Sequence, residues 1–362
     1  LGDVYKRQDM DFGTAPFIVD AIRKRCECEV LGYTGKPDSY YRAIINWVKQ
    51  RYDLDVTKEM INFVPGIVPG IGMAMNSFTR PGDKVMIQPP VYHPFAWVTT
   101  RNERTLVTNP LKWENGMYRM DLDAFREQVK GCKLFILCNP HNPGGVVWTE
   151  DELRTVAEIC YEEKVLVFSD EIHADLTLPP YKHRPFATIS EKAKMNSVTF
   201  MSPSKAFNMP GLAASHAIIF NEDLRARFRK FMDAGELDMG HVFAFLSVEA
   251  AYTHGTEWLD QCLAYIQGNI DYVDNFLKTH APRIKAIRPQ ASYLVWLDCR
   301  ELGLNQEALN DFFADKAHLA LNDGAMFGKE GTGYMRLNVA SPRSVIEQAM
   351  KQLAEAYQAM SF

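Results

Sequence analysis

The sequence predicts an α/β protein with a mostly parallel sheet, helices on both faces of that sheet and a smaller α+β unit at the C-terminal end. Up to Phe220, short runs rich in Val, Ile, Leu and Phe alternate with segments of helical periodicity. Strands that alternate with helices are typical of parallel sheets covered on both faces. Beyond Phe220 the pattern changes, because charged and amphipathic segments precede two further strand-like runs.

Helices in the first part of the chain are predicted by apolar spacing and by end signals. Segment 40–51 places apolar residues three and four positions apart, at Tyr41, Ile44, Ile45 and Val48. Segment 67–78 follows the turn residues Pro65-Gly66 and precedes a Pro-Gly turn. Segment 149–164 opens with Thr-Glu-Asp-Glu, which indicates a capping box at its first turn.

The strands and the second domain follow from the remaining apolar runs. Strands of the large sheet are expected at 84–88, 133–138, 165–169, 198–201 and 216–220. A long amphipathic helix is expected at 257–278, strands at 292–297 and 334–339, and a closing helix at 344–357.

The domain boundary is expected within the long helix, near residue 270. We expect a large domain at 28–270 and a small domain formed by 9–27 and 271–362. Residues 1–8 show no apolar periodicity and are expected to be non-native or artefactual.

Net charge, apolar stretches and cysteine content limit the kinds of binding partner and cellular compartment that we expect. The formal net charge of the 362 residues is −5, which gives no sign of a nucleic-acid or anionic-membrane partner. No apolar stretch approaches the length that spans a bilayer. The seven cysteines form no zinc pattern, and their odd number argues against a disulfide framework. We therefore expect a protein of the reduced cytoplasm.

Polar clusters follow three of the expected strands. The segment 139–145 contains Asn142, Asp170 ends the next apolar run, and Lys205 follows the run after that. The carboxyl ends of parallel strands share one edge of the sheet, where ligands bind. An amine, an amide and a carboxylate that converge there are what a pyridoxal phosphate (PLP) enzyme needs, with Lys205 as the residue that binds the aldehyde.

Each of these residues also has an ordinary structural interpretation. Lys205 alone would be a solvated surface lysine, but the flanking hydroxyls of Ser202 and Ser204 suit a phosphate. Asp170 could be a buried structural acid or an N-cap rather than the partner of a pyridine nitrogen. Asn142 could serve only its Pro-Gly turn.

Further candidates lie outside these clusters. Free backbone N–H groups at Ile67 and Val68 could bind phosphate at the start of a helix. Tyr92 could be a core residue or could stack on the pyridine ring. Arg336 lies in an otherwise apolar strand, and a buried arginine needs an anion. That anion is either a local acid or the α-carboxylate of a substrate.

Taken together, the motifs resemble the fold-type I PLP enzymes of the class I/II aminotransferase superfamily. The resemblance rests on Asn-Pro-x-Asn-Pro-Gly-Gly at 139–145, Ser-Asp-Glu-Ile-His at 169–173, Ser-x-Ser-Lys at 202–205 and the late Arg336. It implies a homodimer in which Tyr33 reaches the phosphate of the neighbouring subunit. It also implies cofactor contacts for Lys205, Asp170, Asn142, Tyr92, Ser202, Ser204, Ile67 and Val68, and a substrate contact for Arg336, with Asn142 beside the substrate carboxylate.

Two departures from ordinary aminotransferases are similar to the MalY/PatB-type C–S β-lyases. Ala213 stands where an arginine that binds phosphate usually lies, eight residues after the lysine. His173 stands where tyrosine is usual, three residues after the aspartate, and it is expected to contact the cofactor. The resemblance implies β-elimination from L-cystathionine or another cysteine S-conjugate.

Two alternatives remain open, and two other chemistries are not supported. The chain could be an aminotransferase that acts on an amino acid and a 2-oxo acid, or a PLP-binding regulatory protein. A metal site is not expected, because His141, His173, His183 and Cys138 lack ligand spacing. A nicotinamide site is not expected, because no Gly-x-Gly-x-x-Gly follows a strand.

Overall fold

The computed structural model describes residues 9–360. The expectation for residues 1–8 therefore lies outside the described residues. The helices are α1 (Pro16–Cys26), α2 (Asp38–Tyr52), α3 (Ile67–Phe78), α4 (Pro94–Arg101), α5 (Leu122–Gln128), α6 (Glu150–Glu162), α7 (Glu191–Met195), α8 (Glu222–Ala234), α9 (Val242–His254), α10 (Thr256–His280), α11 (Gln306–Asp311) and α12 (Arg343–Gln358).

The strands form a large sheet, a small sheet and a hairpin. They are β1 (Ile61–Val64), β2 (Lys84–Ile87), β3 (Thr105–Thr108), β4 (Lys112–Glu114), β5 (Met117–Arg119), β6 (Cys132–Cys138), β7 (Leu166–Asp170), β8 (Ser197–Met201), β9 (Ser215–Ile218), β10 (Lys285–Ile287), β11 (Leu294–Asp298), β12 (Asn322–Asp323) and β13 (Tyr334–Asn338). The large sheet has the order β1-β9-β8-β7-β6-β2-β3, and the small sheet has the order β10-β11-β13-β12.

The predicted α/β architecture is confirmed. Strands β8, β7, β6, β2 and β3 run parallel, while β9 runs antiparallel to both of its neighbours. The centre of the sheet is apolar on both faces, and β7 and β8 are buried along nearly their whole length. The small sheet is antiparallel throughout. This arrangement places the carboxyl ends of β6, β7 and β8 side by side.

Local signals explain where the helices near this edge begin. Thr149 and Glu152 form the expected capping box at the start of α6. Helix α3 follows Gly66, whose φ of 131° lies in a region that glycine adopts readily and other residues rarely do. Gly70 lets α3 approach β1, because a Cβ there would lie 2.8 Å from the Val64 side chain. The α3 N-terminus is therefore held close to the sheet edge.

Several elements differ from the expectations. The charged segment 222–230 is part of α8, which Asn221 caps by accepting from the Asp223 and Leu224 amides. Strands β1 and β3 and the hairpin β4–β5 were not expected, since each is only three or four residues long. Helix α10 runs unbroken through residue 270. The boundary proposed there stays a prediction.

Within residues 9–360, the structure contains no helix with the length and apolarity needed to cross a membrane.

Candidate active site

A cavity of about 220 Å³ lies at the carboxyl edge of the large sheet. Cys138 at the end of β6 lies opposite Asp170 at the end of β7, and β8 leads directly to Ser202. Most of the residues expected to bind a cofactor line this cavity: Ile67, Val68, Tyr92, Asn142, Asp170, His173, Ser204 and Lys205. The fold therefore brings together groups that are up to 138 positions apart, from Ile67 to Lys205.

Asp170 is the buried acid of the cavity, with 3% of its surface exposed. Its Oδ1 accepts a hydrogen bond of 3.1 Å from the Ile172 amide. Burial raises the pKa of the Asp170 carboxyl to about 7, although the amide bond and the nearby Lys205 oppose that rise. The carboxyl is thus placed to donate a proton to, or share one with, a basic nitrogen in the cavity.

His173 faces the cavity one turn beyond Asp170. Burial, together with the positive charges of Lys205 and Arg336, lowers the pKa of its imidazole to about 3. Its Nδ1 is buried and has no hydrogen-bond partner among residues 9–360. A neutral imidazole with an unsatisfied ring nitrogen can bind a polar group of a ligand.

One end of the cavity is suited to a phosphate. The first turn of α3 presents the backbone at Ile67 and Val68, and no side chain from the described part of the chain caps this helix. Ser204 lines the cavity, whereas Ser202 lies behind it. The Ser202 hydroxyl lies 2.8 Å from both Ser204 Oγ and the Ala214 carbonyl oxygen, and it accepts from the Ser204 amide at 3.1 Å. Ser202 therefore orients Ser204 and does not itself line the cavity. Its expected contact with a phosphate stays a prediction.

Arg336 is buried next to the cavity and is linked to it through Asn142. Its Nη1 donates to Asn142 Oδ1 at 2.8 Å, and its Nη2 donates to Asn322 Oδ1 at 2.7 Å. The guanidinium carbon lies 4.6 Å from the centre of the Phe327 ring. Two side-chain amides therefore hold the guanidinium beside the cavity. A buried guanidinium in this position can form a charge-assisted, bidentate pair with an incoming carboxylate.

Tyr92 and Cys138 complete the walls beside Asn142 and Asp170. Burial raises the pKa of the Tyr92 hydroxyl to about 12, so the phenol is neutral. Cys138 was considered in the sequence only as a metal ligand without partners. In the structure its Sγ accepts from the Asn142 amide at 3.4 Å and lies 3.5 Å from the Pro140 carbonyl oxygen. Cys138 therefore helps to hold the turn that carries Asn142.

Sequence reasoning assigned no role to Asp9, yet its Oδ1 lies 2.9 Å from Lys205 Nζ. The two residues are 196 positions apart, and no spacing rule connects them. The available signal was the run Asp9-Met10-Asp11-Phe12, in which acidic and apolar residues alternate.

Tyr33 does not line the cavity. It lies between α1 and α2 with 98% of its surface exposed, beside Val30 and Leu31, which are also largely exposed. Its expected role concerns the site of a second subunit, and that role stays a prediction.

The residues that surround the cavity fit PLP. The unsatisfied Nδ1 of His173, the buried carboxyl of Asp170 and the uncapped first turn of α3 match a polar ring substituent, a ring nitrogen and a phosphate. Lys205 supplies an amine at the same cavity. Among residues 9–360, no group of three His, Cys, Asp or Glu side chains is placed to hold a metal ion.

Comparison with known proteins identifies the family to which the sequence is similar. Residues 8–353 match the family described as aminotransferase class I and II. Cystathionine beta-lyase PatB of Bacillus subtilis is 38% identical, with 96% of this chain and 90% of the relative aligned. Protein MalY of Escherichia coli is 31% identical, with 97% of this chain and 90% of that protein aligned.

Solved structures give the same result. PLP-containing cystalysin from Treponema denticola superimposes with a TM-score of 0.96 at 34% identity, and the alignment covers 99% of this chain and 91% of that one. A PLP-bound C–S lyase from Staphylococcus hominis gives a TM-score of 0.91 at 34% identity, with 98% and 88% covered. The chain therefore belongs to the aminotransferase class I and II family.

Proposed function

We propose that this protein is a PLP-dependent C–S β-lyase that cleaves L-cystathionine or another cysteine S-conjugate to a thiol, pyruvate and ammonia. Cystathionine beta-lyases and C–S lyases are among the relatives that match nearly the whole chain, and the cavity contains the amine, the acid and the amide that the reaction needs. One observation favours the lyase over an aminotransferase: Ala213 lines the cavity where ordinary aminotransferases place a phosphate-binding arginine.

The proposed cofactor contacts follow from the positions described above. Asp170 would hold the pyridine nitrogen, and Tyr92 would cover a face of the ring. Asn142 and His173 would bind polar ring substituents. The first turn of α3, together with Ser204, would bind the phosphate. When bound, PLP takes up the substrate amine and withdraws electrons from its Cα atom.

The proposed work of the chain is to orient the substrate and to move one proton. Arg336 binds the substrate α-carboxylate with two N–H groups, and Asn142 keeps the guanidinium in place. Lys205 Nζ then removes the proton from Cα and delivers it to the sulfur as the Cβ–S bond breaks. The buried, apolar walls of the cavity exclude water from the carbon that loses its proton.

A single assay separates the lyase from the aminotransferase. Purified protein is supplied with PLP and L-cystathionine, and pyruvate and free thiol are measured with and without an added 2-oxo acid. The proposal expects pyruvate and thiol in equal amounts without any 2-oxo acid. Pyruvate or a new amino acid that forms only when a 2-oxo acid is added would establish the aminotransferase instead. A Lys205→Ala variant serves as the inactive control.

A third outcome would identify a regulatory protein. In that case the protein would bind PLP and show the visible absorbance of lysine-bound PLP, but neither amino acids nor cysteine conjugates would change the spectrum. The full set of Lys205, Asp170 and Asn142 in one cavity favours catalysis over this outcome.

We also propose that the protein works as a homodimer. The exposed apolar segment with Val30, Leu31 and Tyr33 suits burial against a second copy of the chain. In that dimer Tyr33 would bind the phosphate in the partner subunit's site. A cytoplasmic location suits the seven cysteines, all of which are free thiols in the structure.

A further inference from the structure

The chain segment at Asp9 is fixed by contacts with both sheets. Asn338, at the end of β13, donates to the Asp9 carbonyl oxygen at 2.7 Å. Asn208, just beyond Lys205, accepts from the Met10 amide at 3.1 Å and donates to the Met10 carbonyl oxygen at 2.9 Å. The backbone that follows the Asp9 side chain is thus anchored, and these contacts help to set the position of the carboxylate.

The next residues strengthen this attachment. The Asp11 amide donates to the Ala340 carbonyl oxygen at 2.8 Å, and the Asp11 carboxylate accepts from the Ser341 hydroxyl. Thr14 donates to the Asn208 carbonyl oxygen at 2.6 Å. The segment bridges the large sheet and the small sheet directly above Lys205.

The Asp9 carboxylate is directed at the amine of Lys205. Its Oδ1 lies 2.9 Å from Nζ, and 14% of the Lys205 side chain and 37% of the Asp9 side chain are exposed. Because one partner is largely buried, water and salt screen this pair less than an ion pair on the open surface.

Other charged or titratable groups also face the pair. Asp170 attracts the ammonium from β7, while His173 is neutral because burial and the charge of Lys205 both lower its pKa. Arg336 on β13 and Tyr293 lie on the side of the small sheet, and burial together with the Asp9 charge raises the pKa of Tyr293. Asp9 lies within hydrogen-bond distance of Nζ, whereas Asp170 acts on Nζ through space.

The proposed reaction requires Lys205 to carry a proton between two events. Nζ starts as a neutral amine, gains the proton from Cα and becomes an ammonium, then loses that proton to the sulfur. A carboxylate 2.9 Å away stabilises the ammonium and therefore favours the first transfer. It also keeps the amine at a defined place while the amine is not covalently bound.

We propose that Asp9 is the positioning residue of Lys205, holding its ε-ammonium during the interval in which the lysine carries the substrate proton. The inference rests on the proposed function. It gives Asp9 a part in proton transfer that acts through Lys205, whereas the residues that follow Asp9 join the two sheets.

The first test measures Lys205 in the cofactor-free protein. Capture of PLP requires the neutral amine, which adds to the aldehyde carbon and expels water. The ion pair with Asp9 stabilises the ammonium and has to break before Nζ can add to the aldehyde. Asp9→Asn is therefore expected to capture PLP faster at neutral pH, by about tenfold, which corresponds to the loss of one charge-assisted hydrogen bond. The rates of the two proteins should converge at alkaline pH, where both amines are neutral. Capture is followed by visible absorbance.

The second test uses the loaded enzyme. Asp9→Asn is expected to lower kcat about tenfold or more with a smaller change in KM, because the ammonium is less stable while the carboxylate contact at Arg336 is intact. Asp9→Glu keeps the charge and should retain most of the wild-type pH dependence. Asp11→Asn is the matched control: it removes one charge two positions away, keeps an acceptor for Ser341 and should behave as wild type in both tests.

The outcomes distinguish this inference from the proposed function. If wild-type protein captures no PLP, or forms no pyruvate from cysteine conjugates, the proposed function fails. If wild type is active and Asp9→Asn shows the wild-type pH dependence of capture and an unchanged kcat, the inference about Asp9 is wrong. An equal effect of Asp11→Asn would also overturn it, because the change would then reflect the attachment of the segment.

Discussion

Replacing Asp170 with asparagine is expected to stabilise the cofactor-free protein at neutral pH while removing its function. Asp170 is buried at the cavity and burial raises the pKa of its carboxyl from the ordinary 3.8 to about 7. Asparagine has nearly the same shape and can still accept from the Ile172 amide. The substitution therefore removes the cost of the buried charge with little change in packing.

The sign and size of this change in stability follow from the difference in proton binding between the folded protein and the unfolded chain. Between about pH 4 and about pH 7 the folded protein keeps the Asp170 proton more often than the unfolded chain does, so its free energy of unfolding falls as pH rises. The difference between the two pKa values corresponds to about 4 kcal/mol in total. About 2.5 kcal/mol of this should be lost between about pH 5 and about pH 8.

Two buried histidines change the free energy of unfolding with pH in the opposite direction, over a pH range that overlaps with that of Asp170. Burial lowers the pKa of His173 and of His216 to about 3, which makes the protein more stable as pH rises towards their unfolded value of 6.5. Wild type and Asp170→Asn both contain these histidines, so their effect is common to the two proteins. The informative quantity is therefore the difference between Asp170→Asn and wild type at each pH.

The assay is urea unfolding of both cofactor-free proteins, followed by circular dichroism at about pH 5 and about pH 8. The advantage of Asp170→Asn should grow by about 2.5 kcal/mol between the two conditions. The exposed Asp233→Asn should follow wild type at both. If the difference between Asp170→Asn and wild type is the same at both pH values, Asp170 is ionised in the folded protein at little cost, and the reasoning about its burial is wrong.

Four further substitutions test other parts of the site. Arg336→Lys should raise KM about 10- to 100-fold with a small change in kcat, because it loses a charge-assisted pair with the substrate carboxylate of about 1.5–3 kcal/mol. Asn322→Ala should raise KM about fivefold, because it removes one neutral hydrogen bond of about 1 kcal/mol to the Arg336 guanidinium. Gly66→Ala should weaken PLP binding in a spectral titration, because a residue with a side chain is strained at φ 131° just before the first turn of α3. An unchanged PLP affinity would count against a phosphate site at the start of α3. Tyr33→Ala mixed with inactive Lys205→Ala should regain activity as hybrid dimers form, since one site then contains both residues; no recovery would refute a shared site.

The sheet and its polar edge could be predicted because their signals are local. The apolar runs of β6, β7 and β8 each end at a polar residue, and parallel strands place such ends together. Helix α3 was predicted with its observed bounds, since Pro65-Gly66 and a Pro-Gly turn mark both ends. These elements required no knowledge of distant contacts.

The remaining parts depend on contacts between distant segments. Helix α8 has a charged sequence with buried residues only at Phe228 and Met232, so its helicity depends on packing as well as on its Asn221 cap. The antiparallel direction of β9 follows from its pairing with β1, a strand of four residues. Asp9 reaches Lys205 only because Asn208 and Asn338 hold its segment. Single-sequence patterns contain no record of such pairings.

The charges around the cavity connect cofactor binding with assembly. Lys205 is the one lysine or arginine among the described residues that line the cavity, and it is engaged by Asp9. Ala213 supplies no charge, so the phosphate would be held by the partial positive charge at the start of α3 and by Ser204. A helix end provides about half a unit charge, which is less than a phosphate carries. A hydroxyl from the partner's Tyr33 would then contribute substantially to the free energy of phosphate binding, because few other hydrogen-bond donors face that end of the cavity. PLP affinity should accordingly fall as the protein is diluted below its dimer dissociation constant, and an affinity independent of protein concentration would show that each subunit holds its cofactor alone.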